Sequence, residues 1–378
     1  MKIIKNHEPF LKGNEIKFIN DVIKSKKFTD SKYQKKCEHF IKKKINSSFV
    51  ALTQNCTSAL EVASILLNLK VGDEVILPSY TFTSTANAVI LRGANIKFAD
   101  VDLISGCINL NHLESLITVK TKAVIVVHYG AYSCDMESLI LLKKKYNFFL
   151  IEDAAHCFGS IYNNKYLGTW GDIGTFSFHE TKNFIGGQCG AISINNKKLI
   201  VRANLILDKG TDRKNFLKNS KKNFYSWKYM GSEYRAPELS AALLYGQLTN
   251  FNNIQNKRKK IWDYYYNKII KNQKKIYSIK TISKNSKSSY HNFFIIFKNK
   301  ILRNNFIKYM NKRYITCTTH YQPLHKSSFG RFLLKYKKCK LTNTDRISKG
   351  LVRLPFHNLL SIKDLNYIVR CINFFLKS

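Results

Sequence analysis

Residues 175–183 read Thr-Phe-Ser-Phe-His-Glu-Thr-Lys-Asn, and a glycine pair follows at Gly186 and Gly187. The first residues are typical of a β-strand that ends in polar side chains, and the glycines allow a tight turn close to the lysine. Lys182 lies in apolar and glycine-rich chain, whereas we expect most other lysines on the surface. A partly desolvated lysine has a lowered pKa and can condense with a carbonyl compound. The stretch therefore predicts a strand that delivers a reactive lysine, Lys182.

Residues 148–156, Phe-Phe-Leu-Ile-Glu-Asp-Ala-Ala-His, predict a buried parallel strand further upstream. Its carboxyl end carries Asp153 and His156, and open α/β sheets bind ligands at that edge. A pyridoxal cofactor needs an amine for its aldehyde carbon and a carboxylate for its ring nitrogen. Lys182 and Asp153 are these two groups, so the two strands together predict a pyridoxal phosphate site.

Three stretches of the sequence resemble a known family. Residues 151–156, residues 176–183 and the pair at 186–187 resemble the sugar-nucleotide aminotransferases of the DegT/DnrJ/EryC1/StrS type. The resemblance implies an α/β protein with the type I fold of pyridoxal phosphate-dependent aminotransferases. It implies a mostly parallel sheet in a large cofactor-binding domain, residues 1–250 with the N-terminal segment, and a smaller C-terminal α/β domain, residues 251–378. It also implies a homodimer with shared active sites.

A run of small polar residues, 53–58, precedes a predicted helix over residues 60–69. Free backbone N–H groups at such a helix start suit a phosphate, although an ordinary Ser/Thr N-cap gives the same pattern. The resemblance implies that the cofactor phosphate is held here. The cofactor-binding residues that it implies, besides Lys182 and Asp153, are Thr57, Ser58, Ser177, Phe82 stacked on the ring and His156 packed at the ring.

Two further residues are candidates for substrate binding. His320 lies in a segment, 319–325, that resembles one at the active-site mouth of the family, and a turn fixed by Pro323 is the alternative. Arg235 matches the family pattern. We expect it either to offer a cation to the cofactor or substrate region or to form a structural salt bridge. Many members have asparagine where this chain has Glu233. Gln188 and Cys189 also depart from the family pattern, which leaves open a weakened activity.

Secondary structure follows from the alternation of apolar runs and helical patterns. We predict strands over residues 96–101, 123–128, 148–153 and 189–194, and helices over 136–146 and 197–207. An amphipathic pattern at Ile16, Ile19, Val22 and Ile23 predicts a helix laid against the body of the protein. A long charged helix is predicted over 251–271, followed by strand-like stretches over 292–297 and 314–319.

The chain has 378 residues, 63 Lys+Arg and 24 Asp+Glu, which give a formal net charge of +39. Such a charge is typical of nucleic-acid or membrane binding. The lysines are dispersed, however, and abundant Asn, Ile, Tyr and Phe indicate A/T-rich coding, so we expect neither nucleic acid nor membrane as main partner. The nine cysteines are odd in number and form no CxxC pair, which favours reduced thiols and a cytoplasmic location. We expect no metal, because His320 and His325 lack cysteine partners at ligand spacing.

The expected reaction is the transfer of an amino group from L-glutamate to dTDP-4-dehydro-6-deoxy-D-glucose. The products would be 2-oxoglutarate and dTDP-4-amino-4,6-dideoxy-D-galactose, a precursor of cell-surface glycans. Alternatives are another ketosugar or a UDP or GDP carrier, a dehydratase, in which histidine replaces the lysine, and a basic nucleic-acid-binding protein on a retired enzyme fold. Lys182 argues against the last two.

Overall fold

The computed structural model describes residues 3–29, 31–213, 216, 224–270, 274–279, 281–335 and 339–378. Within them, strands β1 to β13 span Phe49–Thr53, Glu74–Pro78, Asn95–Ala99, Thr121–Val127, Phe149–Asp153, Ile161–Tyr162, Lys165–Tyr166, Ile173–Ser177, Gly190–Ile194, Ile276–Ile279, Ser286–Lys287, Phe294–Phe297 and Leu351–Arg353. Helices α1 to α13 span Glu15–Ser25, Lys32–Ile45, Cys56–Leu66, Thr83–Ile90, Leu110–Leu116, Met136–Tyr146, Ile200–Leu207, Glu238–Thr249, Phe251–Lys268, Lys300–Asn311, Ser328–Leu333, Thr342–Gly350 and Ile362–Lys377.

A seven-stranded sheet forms the centre of the molecule, in the order β1-β9-β8-β5-β4-β2-β3. Strand β9 is antiparallel to both of its neighbours, and the other neighbouring strands are parallel. The prediction of a mostly parallel sheet is therefore confirmed. The strands are continuous apolar runs because both faces of the sheet are covered. In β4, Val124 and Val126 join one core cluster, while Ala123 and Ile125 join another on the opposite face.

The carboxyl edge of this sheet collects the polar ends of several strands. Asp153 ends β5 and Ser177 ends β8. Gly190, the first residue of β9, pairs with both Ser177 and Thr53, the last residue of β1. A Cβ atom at Gly190 would collide with the backbone of Asn55 and Cys56, so only glycine lets β9 pass this close to the start of α3. The edge therefore places Asp153, Ser177 and the first turn of α3 around one space.

The C-terminal part of the chain has its own antiparallel sheet, in the order β10-β12-β13. A separate hydrophobic core runs from Ile261 to Leu376. The N-terminal segment joins this part, since Ile4 forms a parallel bridge with Ile315. The predicted division after residue 250 lies at the junction of α8 and α9, and it stays a prediction because α9 contributes Phe251 to a core of the central sheet.

The stretch predicted as a strand over residues 314–319 forms only isolated bridges. Ile315 pairs with Ile4, and Thr318 pairs with Arg353. Tyr314 has a φ of 60°, a left-handed conformation that interrupts extended chain. The prediction of strand-like chain is therefore wrong in extent, and the segment is a loop with two bridges.

Helix α1 confirms the predicted helix near the N-terminus and buries part of the predicted face, since Ile19 packs against the core. Ile16 and Ile23 are exposed, whereas Val22 and Glu15 are buried. The carboxylate of Glu15 accepts hydrogen bonds from Gly13 N at 2.8 Å and from Gln247 of α8. Since these bonds replace water, a charged residue can occupy the packed face.

Two predicted helices differ at their ends. The helix predicted over 197–207 begins as a 3₁₀ turn, Lys197–Leu199, before α7 starts at Ile200. Helix α9 ends at Lys268, and Lys271, the predicted end, lies outside the described residues. Across the described part of the chain, no helix combines the length and apolar character needed to cross a bilayer.

Candidate active site

A cavity of about 470 Å³ lies at the carboxyl edge of the central sheet. The ends of β5 and β8, the first turns of α3 and α4, the N-terminal segment and loops of the C-terminal part enclose it. The residues predicted from the sequence that line it are Thr57, Phe82, Asp153, His156, Ser177, Lys182 and His320. The structure thus brings together residues that are up to 263 positions apart, from Thr57 to His320.

Lys182 lies in the loop after β8, where its backbone N–H donates to the His179 carbonyl at 2.8 Å. The structure shows no hydrogen bond or ion pair from its Nζ to any other described residue. Burial lowers the pKa of Lys182 to about 8, and the charge of Arg353 adds to this effect, while Cys56 and Asp153 oppose it. A lysine with this pKa is partly neutral near pH 8, as a nucleophile or base must be.

The carboxylate of Asp153 lines the cavity, and two hydrogen bonds hold it in place. Thr85 Oγ1 of α4 donates to Oδ2 at 2.8 Å, and Ala155 N donates to Oδ1 at 3.2 Å. Thr81 Oγ1 lies 2.8 Å from Thr85 Oγ1 and donates to it, because the proton of Thr85 is already used. Burial raises the pKa of Asp153, whereas these bonds and Lys182 act in the opposite direction. A cationic ligand at Asp153 would offset the cost of burying this carboxylate.

The first turn of α3 forms an anion-binding corner. The N-cap Asn55 accepts a hydrogen bond from Ser58 N at 2.8 Å, and the other N–H groups of the first turn have no helical partner. Thr57 Oγ1 lies 2.7 Å from Ser84 Oγ in the first turn of α4, so two helix starts meet here. With Ser177 nearby in the lining, this corner offers hydroxyl and backbone donors to a phosphate.

Histidine rings cover another side of the cavity. His156 stacks on His291 with ring centroids 4.2 Å apart and an interplanar angle of 15°. Gly130 N donates to His156 Nδ1 at 3.2 Å, which places the ring proton on Nε2. Burial lowers the pKa of both His156 and His291 well below the usual value, so both rings are neutral. Neutral stacked rings suit contact with a flat aromatic ligand.

His320 and Arg353 come from the C-terminal part of the chain. Arg353 Nη1 donates to His320 Nε2 at 3.3 Å, and His320 Nδ1 donates to Tyr129 Oη at 2.9 Å. Burial, followed by the charge of Arg353, lowers the pKa of His320 to about 2. His320 is therefore a neutral ring that accepts a hydrogen bond from Arg353 and donates one to Tyr129.

The N-terminal segment also reaches the cavity. Asn6 Nδ2 donates to the Arg353 carbonyl at 3.2 Å, and His7 Nε2 donates to the Glu180 carbonyl at 2.6 Å. Burial lowers the pKa of His7 to about 4. Because Glu180 belongs to the loop of Lys182, the N-terminal segment holds that loop from the outside.

Two predicted site residues lie off the lining, and one lies at its mouth. Ser58 is buried behind the corner and bonded to Asn55. Arg235 is 7% exposed and forms an ion pair with Glu38 at 3.3 Å, which is the structural alternative that the sequence leaves open. Phe82 is 57% exposed, with its ring centroid 6.2 Å from that of Tyr321. Their roles toward cofactor and substrate stay predictions.

Two residues that depart from the family pattern, Glu233 and Cys189, lie outside the cavity. Glu233 is half exposed and forms an ion pair with Lys209, so its carboxylate has a cation beside it. Cys189 is buried and its Sγ lies 3.8 Å from the Gly190 carbonyl. Neither residue lines the cavity.

Sequence reasoning missed Thr85, Ser84, His291, Arg353, Asn6 and His7. A signal exists for the first two, because both lie in the Ser/Thr-rich helix start that follows the strand ending at Pro78. No local signal marks His291 or Arg353, since each reaches the cavity through long-range packing. The described residues include no group of three His, Cys, Asp or Glu side chains arranged to hold a metal ion.

The lining fits pyridoxal phosphate. Lys182 offers an amine without a partner, Asp153 offers a buried carboxylate whose burial a ring cation would offset, and the α3 corner offers donors for a phosphate. The stacked ring of His156 offers a flat surface. These are the four features that the cofactor requires.

Comparison with known proteins gives the same result. A model of the DegT/DnrJ/EryC1/StrS aminotransferase family matches residues 9–373. The chain is 30% identical to the GDP-perosamine synthase of Escherichia coli O157:H7, over 99% of each chain. It is 30% identical to the dTDP-3-amino-3,6-dideoxy-alpha-D-galactopyranose transaminase of Aneurinibacillus thermoaerophilus, over 84% of this chain and 83% of the relative.

The fold is also similar to that of Helicobacter pylori PseC, an aminotransferase involved in the biosynthesis of pseudoaminic acid. The TM-score is 0.90 at 24% identity, and the match covers 100% of both chains. This similarity confirms the predicted fold class. Aminotransferases of the matching family depend on pyridoxal phosphate. The chain belongs to the DegT/DnrJ/EryC1/StrS aminotransferase family and is a pyridoxal phosphate-dependent sugar aminotransferase.

Proposed function

We propose that this enzyme transfers the amino group of L-glutamate to dTDP-4-dehydro-6-deoxy-D-glucose. The products are 2-oxoglutarate and dTDP-4-amino-4,6-dideoxy-D-galactose, a precursor for cell-surface glycans. The observation that carries the proposal is the pairing of an unpartnered, half-buried Lys182 with a buried Asp153 in one cavity beside the α3 corner. The chemistry that pyridoxal phosphate supplies when bound is an electron-accepting ring and a carrier for the amino group.

Lys182 Nζ holds the cofactor between turnovers and acts as the base on the amino donor. Its pKa of about 8 leaves a useful fraction of neutral amine near neutral pH, and neutral amine is the form that accepts the proton from the donor Cα. The hydrogen bond of His7 to the Glu180 carbonyl orients the loop that carries Lys182.

Asp153 holds the proton on the ring nitrogen of the cofactor. Thr85 and Thr81 form a hydroxyl chain that ends on Asp153 Oδ2 and fixes the orientation of this carboxylate. Thr57 and Ser177 hold the phosphate at the α3 corner, Ser58 supports this corner through its hydrogen bond to Asn55, and Phe82 and His156 flank the ring. His320 contacts the sugar at the mouth of the cavity. Arg235 has a structural role, because its ion pair with Glu38 stabilises the nearby chain.

The identity of the nucleotide sugar rests on sequence similarity. The run His179–Asn183 favours the galactose-configured product, and the name of one relative carries dTDP. The name of another carries GDP, so a ketosugar on a different carrier is the alternative.

We further propose a cytoplasmic homodimer with shared active sites. Support comes from large apolar side chains on the segment before Glu233, because Phe224 and Trp227 are 76% and 80% exposed. Apolar surface of this kind is typical of a subunit contact. All nine cysteines are free, as in a reducing compartment. Sedimentation analysis of the wild type and of Trp227→Ser tests the dimer, which the substitution should weaken.

The test of the reaction follows the visible absorbance of the lysine-bound cofactor. We expect the purified protein to develop this band with pyridoxal phosphate, to lose it with L-glutamate and to regain it with dTDP-4-dehydro-6-deoxy-D-glucose. Lys182→Ala should abolish the band, whereas Lys144→Ala, at an exposed position of α6, should leave it unchanged.

Each outcome decides a different part of the proposal. Recovery of the band only with a GDP- or UDP-linked ketosugar would retain the transaminase and replace the substrate. A wild-type protein that forms no band, or a Lys182→Ala variant that keeps the wild-type band, would contradict the proposed role of this cavity.

A further inference from the structure

A second cavity, the α2 groove, lies between α2 and the junction of α8 and α9. Its volume is about 1070 Å³, and none of its lining residues lines the active-site cavity. Helix α2 contributes one side, which consists of Lys35, Lys36, His39, Phe40, Lys43 and Lys44. The other side consists of Tyr166, Tyr245, Leu248 and residues 249–253.

The basic side chains of the α2 groove form two rows, because side chains four positions apart share a helix face. The rows are Lys35, His39 and Lys43 in one and Lys36, Phe40 and Lys44 in the other. No Asp or Glu occurs among the residues that line the groove. The groove therefore concentrates positive charge, in contrast to the dispersed lysines elsewhere in the chain.

The carboxylates nearest in the helices have other partners. Glu38 of α2 forms its ion pair with Arg235. Asp21 of α1 accepts a hydrogen bond from Lys32 Nζ at 2.6 Å, which lowers the pKa of Asp21, and the charge of Lys36 adds to this effect. Across the described residues, the structure shows no carboxylate within ion-pair distance of the four groove lysines.

Aromatic rings hold two of the ammonium groups in the groove. Lys44 Nζ lies 4.2 Å from the ring centroid of Phe251, and Lys36 Nζ lies 5.2 Å from that of Tyr245. Contacts of this kind attract a cation to the face of a ring. Phe251 is itself fixed, because its ring stacks on Phe184 with centroids 4.8 Å apart and an interplanar angle of 4°.

Lys44 is the half-buried lysine of the set. Burial lowers the pKa of Lys44, and the charge of Lys287 adds to this effect. Both influences disfavour the charged ammonium group, and an anion bound beside it would favour that form. The groove thus has a physical need for an anionic ligand near Lys44.

The groove also has surfaces suited to a flat, polar ring. Phe40 and Tyr166 are half-buried in its lining. Asn250, Asn252 and Asn253 line it as well, and the structure shows no hydrogen bond from their side chains to another described residue. Aromatic faces stack on nucleobases, and amides both donate and accept hydrogen bonds at a base edge.

We propose that the α2 groove binds a nucleoside diphosphate at a site separate from the active site. The phosphates lie on the lysines of α2, which bind phosphate as point charges, and the base lies against Phe40 and Tyr166. The volume of 1070 Å³ is close to the upper end of the range for small-molecule sites, about 300–1,000 Å³, which favours a nucleotide over a nucleic-acid strand.

The test measures binding to the holoenzyme by calorimetry. The probe is dTDP, with inorganic pyrophosphate for the phosphates alone. The double variant Lys36→Gln/Lys44→Gln removes two groove charges, and Phe40→Leu removes a flat ring but keeps an apolar side chain. Lys17→Gln/Lys24→Gln, at exposed positions of α1, is the matched control. Because dTDP is also part of the proposed substrate, the variants identify the groove.

We expect the wild type to bind one dTDP more per chain than Lys36→Gln/Lys44→Gln, in which affinity at the groove should fall by at least about 10-fold. Phe40→Leu should weaken dTDP at the groove by about fivefold or more, the worth of a stacked base, and leave pyrophosphate unchanged. The α1 control should bind both probes as the wild type does.

Three results would overturn the inference. The first is equal binding of dTDP by the wild type and Lys36→Gln/Lys44→Gln, and the second is an equal loss in the α1 control, which would indicate diffuse surface charge. The third is displacement of dTDP by a short single-stranded RNA of higher affinity, which would indicate a nucleic-acid surface. An unchanged cofactor band shows that each variant is folded. A wild type without this band contradicts the proposed function and leaves the comparison of groove variants intact, so the two failures are distinct.

Discussion

The cavity has two walls of opposite character. The sheet wall consists of residues at the carboxyl edge of the central sheet and the helix starts beside it: Thr57, Thr85, Asp153, Ser177 and Lys182. The opposite wall consists of residues from the N-terminal segment and the C-terminal part: Asn6, His7, His291, His320 and Arg353. On the sheet wall, one hydroxyl and one backbone N–H donate to the carboxylate of Asp153. On the opposite wall, neutral histidines surround a guanidinium with a buried, unpaired Nε.

In the proposed function, this difference separates the binding of the cofactor from the binding of the substrate. The sheet wall is complete before any substrate arrives, as expected for groups that hold a cofactor through every turnover. The opposite wall has donors in excess, as expected for groups that bind an anionic substrate and release it. Changes on the sheet wall should therefore affect both half reactions, and changes on the opposite wall should affect substrate steps alone.

The largest effect is expected for Asp153→Asn. The amide cannot hold the proton on the ring nitrogen as a carboxylate does, and a hydrogen bond to a charged group is worth about 1.5–3 kcal/mol. Both half reactions should slow by at least about 10-fold, as stopped-flow absorbance with glutamate and with the ketosugar would show. Thr85→Val, which removes only a neutral donor, is the milder comparison. Slowing of one half reaction alone would contradict the expectation that residues of the sheet wall act in both half reactions.

A second prediction concerns the pH dependence of cofactor capture by the cofactor-free protein. Because the pKa of Lys182 is lowered from 10.5 to about 8, the rate of covalent capture should rise about tenfold between pH 7 and 9 and then level off. A rate that continues to rise toward pH 10.5 would mean an ordinary lysine.

The same pKa has a consequence for stability. The unfolded chain keeps the Lys182 proton up to about pH 10.5, whereas the folded chain loses it near pH 8. Between these values the unfolded state binds more protons, so the free energy of unfolding should increase with pH. Lys182→Met should remove this part of the increase in denaturant titrations of the cofactor-free protein.

A smaller and selective effect is expected for His320→Ala on the opposite wall. The change removes the hydrogen bonds to Tyr129 and Arg353, and a net hydrogen bond is worth about 1 kcal/mol, or roughly fivefold. The rate with the ketosugar should fall by about this factor while the cofactor band is unchanged. His39→Ala, at an exposed position of α2, serves as control. Loss of the band in His320→Ala would place His320 with the cofactor instead.

The smallest effect is expected for Glu233→Asn, which introduces the asparagine that the family resemblance implies at this position. Glu233 lies on neither wall, and its ion pair with Lys209 is half exposed, so the pair contributes about 0–1 kcal/mol. Turnover should change by less than about twofold. A larger gain in activity would show that Glu233 weakens this enzyme.

The sheet wall is predictable from sequence for a physical reason. Asp153 and Lys182 each follow a buried strand, and parallel strands bring their carboxyl ends to one edge. Thr57 and Ser177 follow the same logic at the start of α3 and the end of β8. Local pattern and the topology of the sheet predict Asp153 and Lys182, the family resemblance adds Thr57 and Ser177, and Thr85 was missed.

The opposite wall depends on contacts that no local pattern encodes. His291 is placed because Arg258 Nη2 donates to the His291 carbonyl at 2.6 Å and Arg258 Nε donates to the Tyr290 carbonyl at 2.9 Å. Arg353 is placed by the register of β13 on β12 and by Asn6, 347 residues away. The left-handed conformation of Tyr314, the first residue of the strand predicted over 314–319, is not encoded by local pattern either. Fold class and most of the cofactor side could be predicted, whereas on the opposite wall the sequence indicated His320 alone and the other residues required the structure.

The central claim is that Lys182 bears the cofactor, and the most direct measurement is chemical trapping. The holoenzyme is reduced with borohydride, which fixes the cofactor to its lysine, and the digested protein is mapped by mass spectrometry. We predict one adduct with the mass of the reduced cofactor, on Lys182, and its absence from protein first treated with L-glutamate. An adduct on another lysine, or none in a protein that shows the cofactor band, would contradict the account.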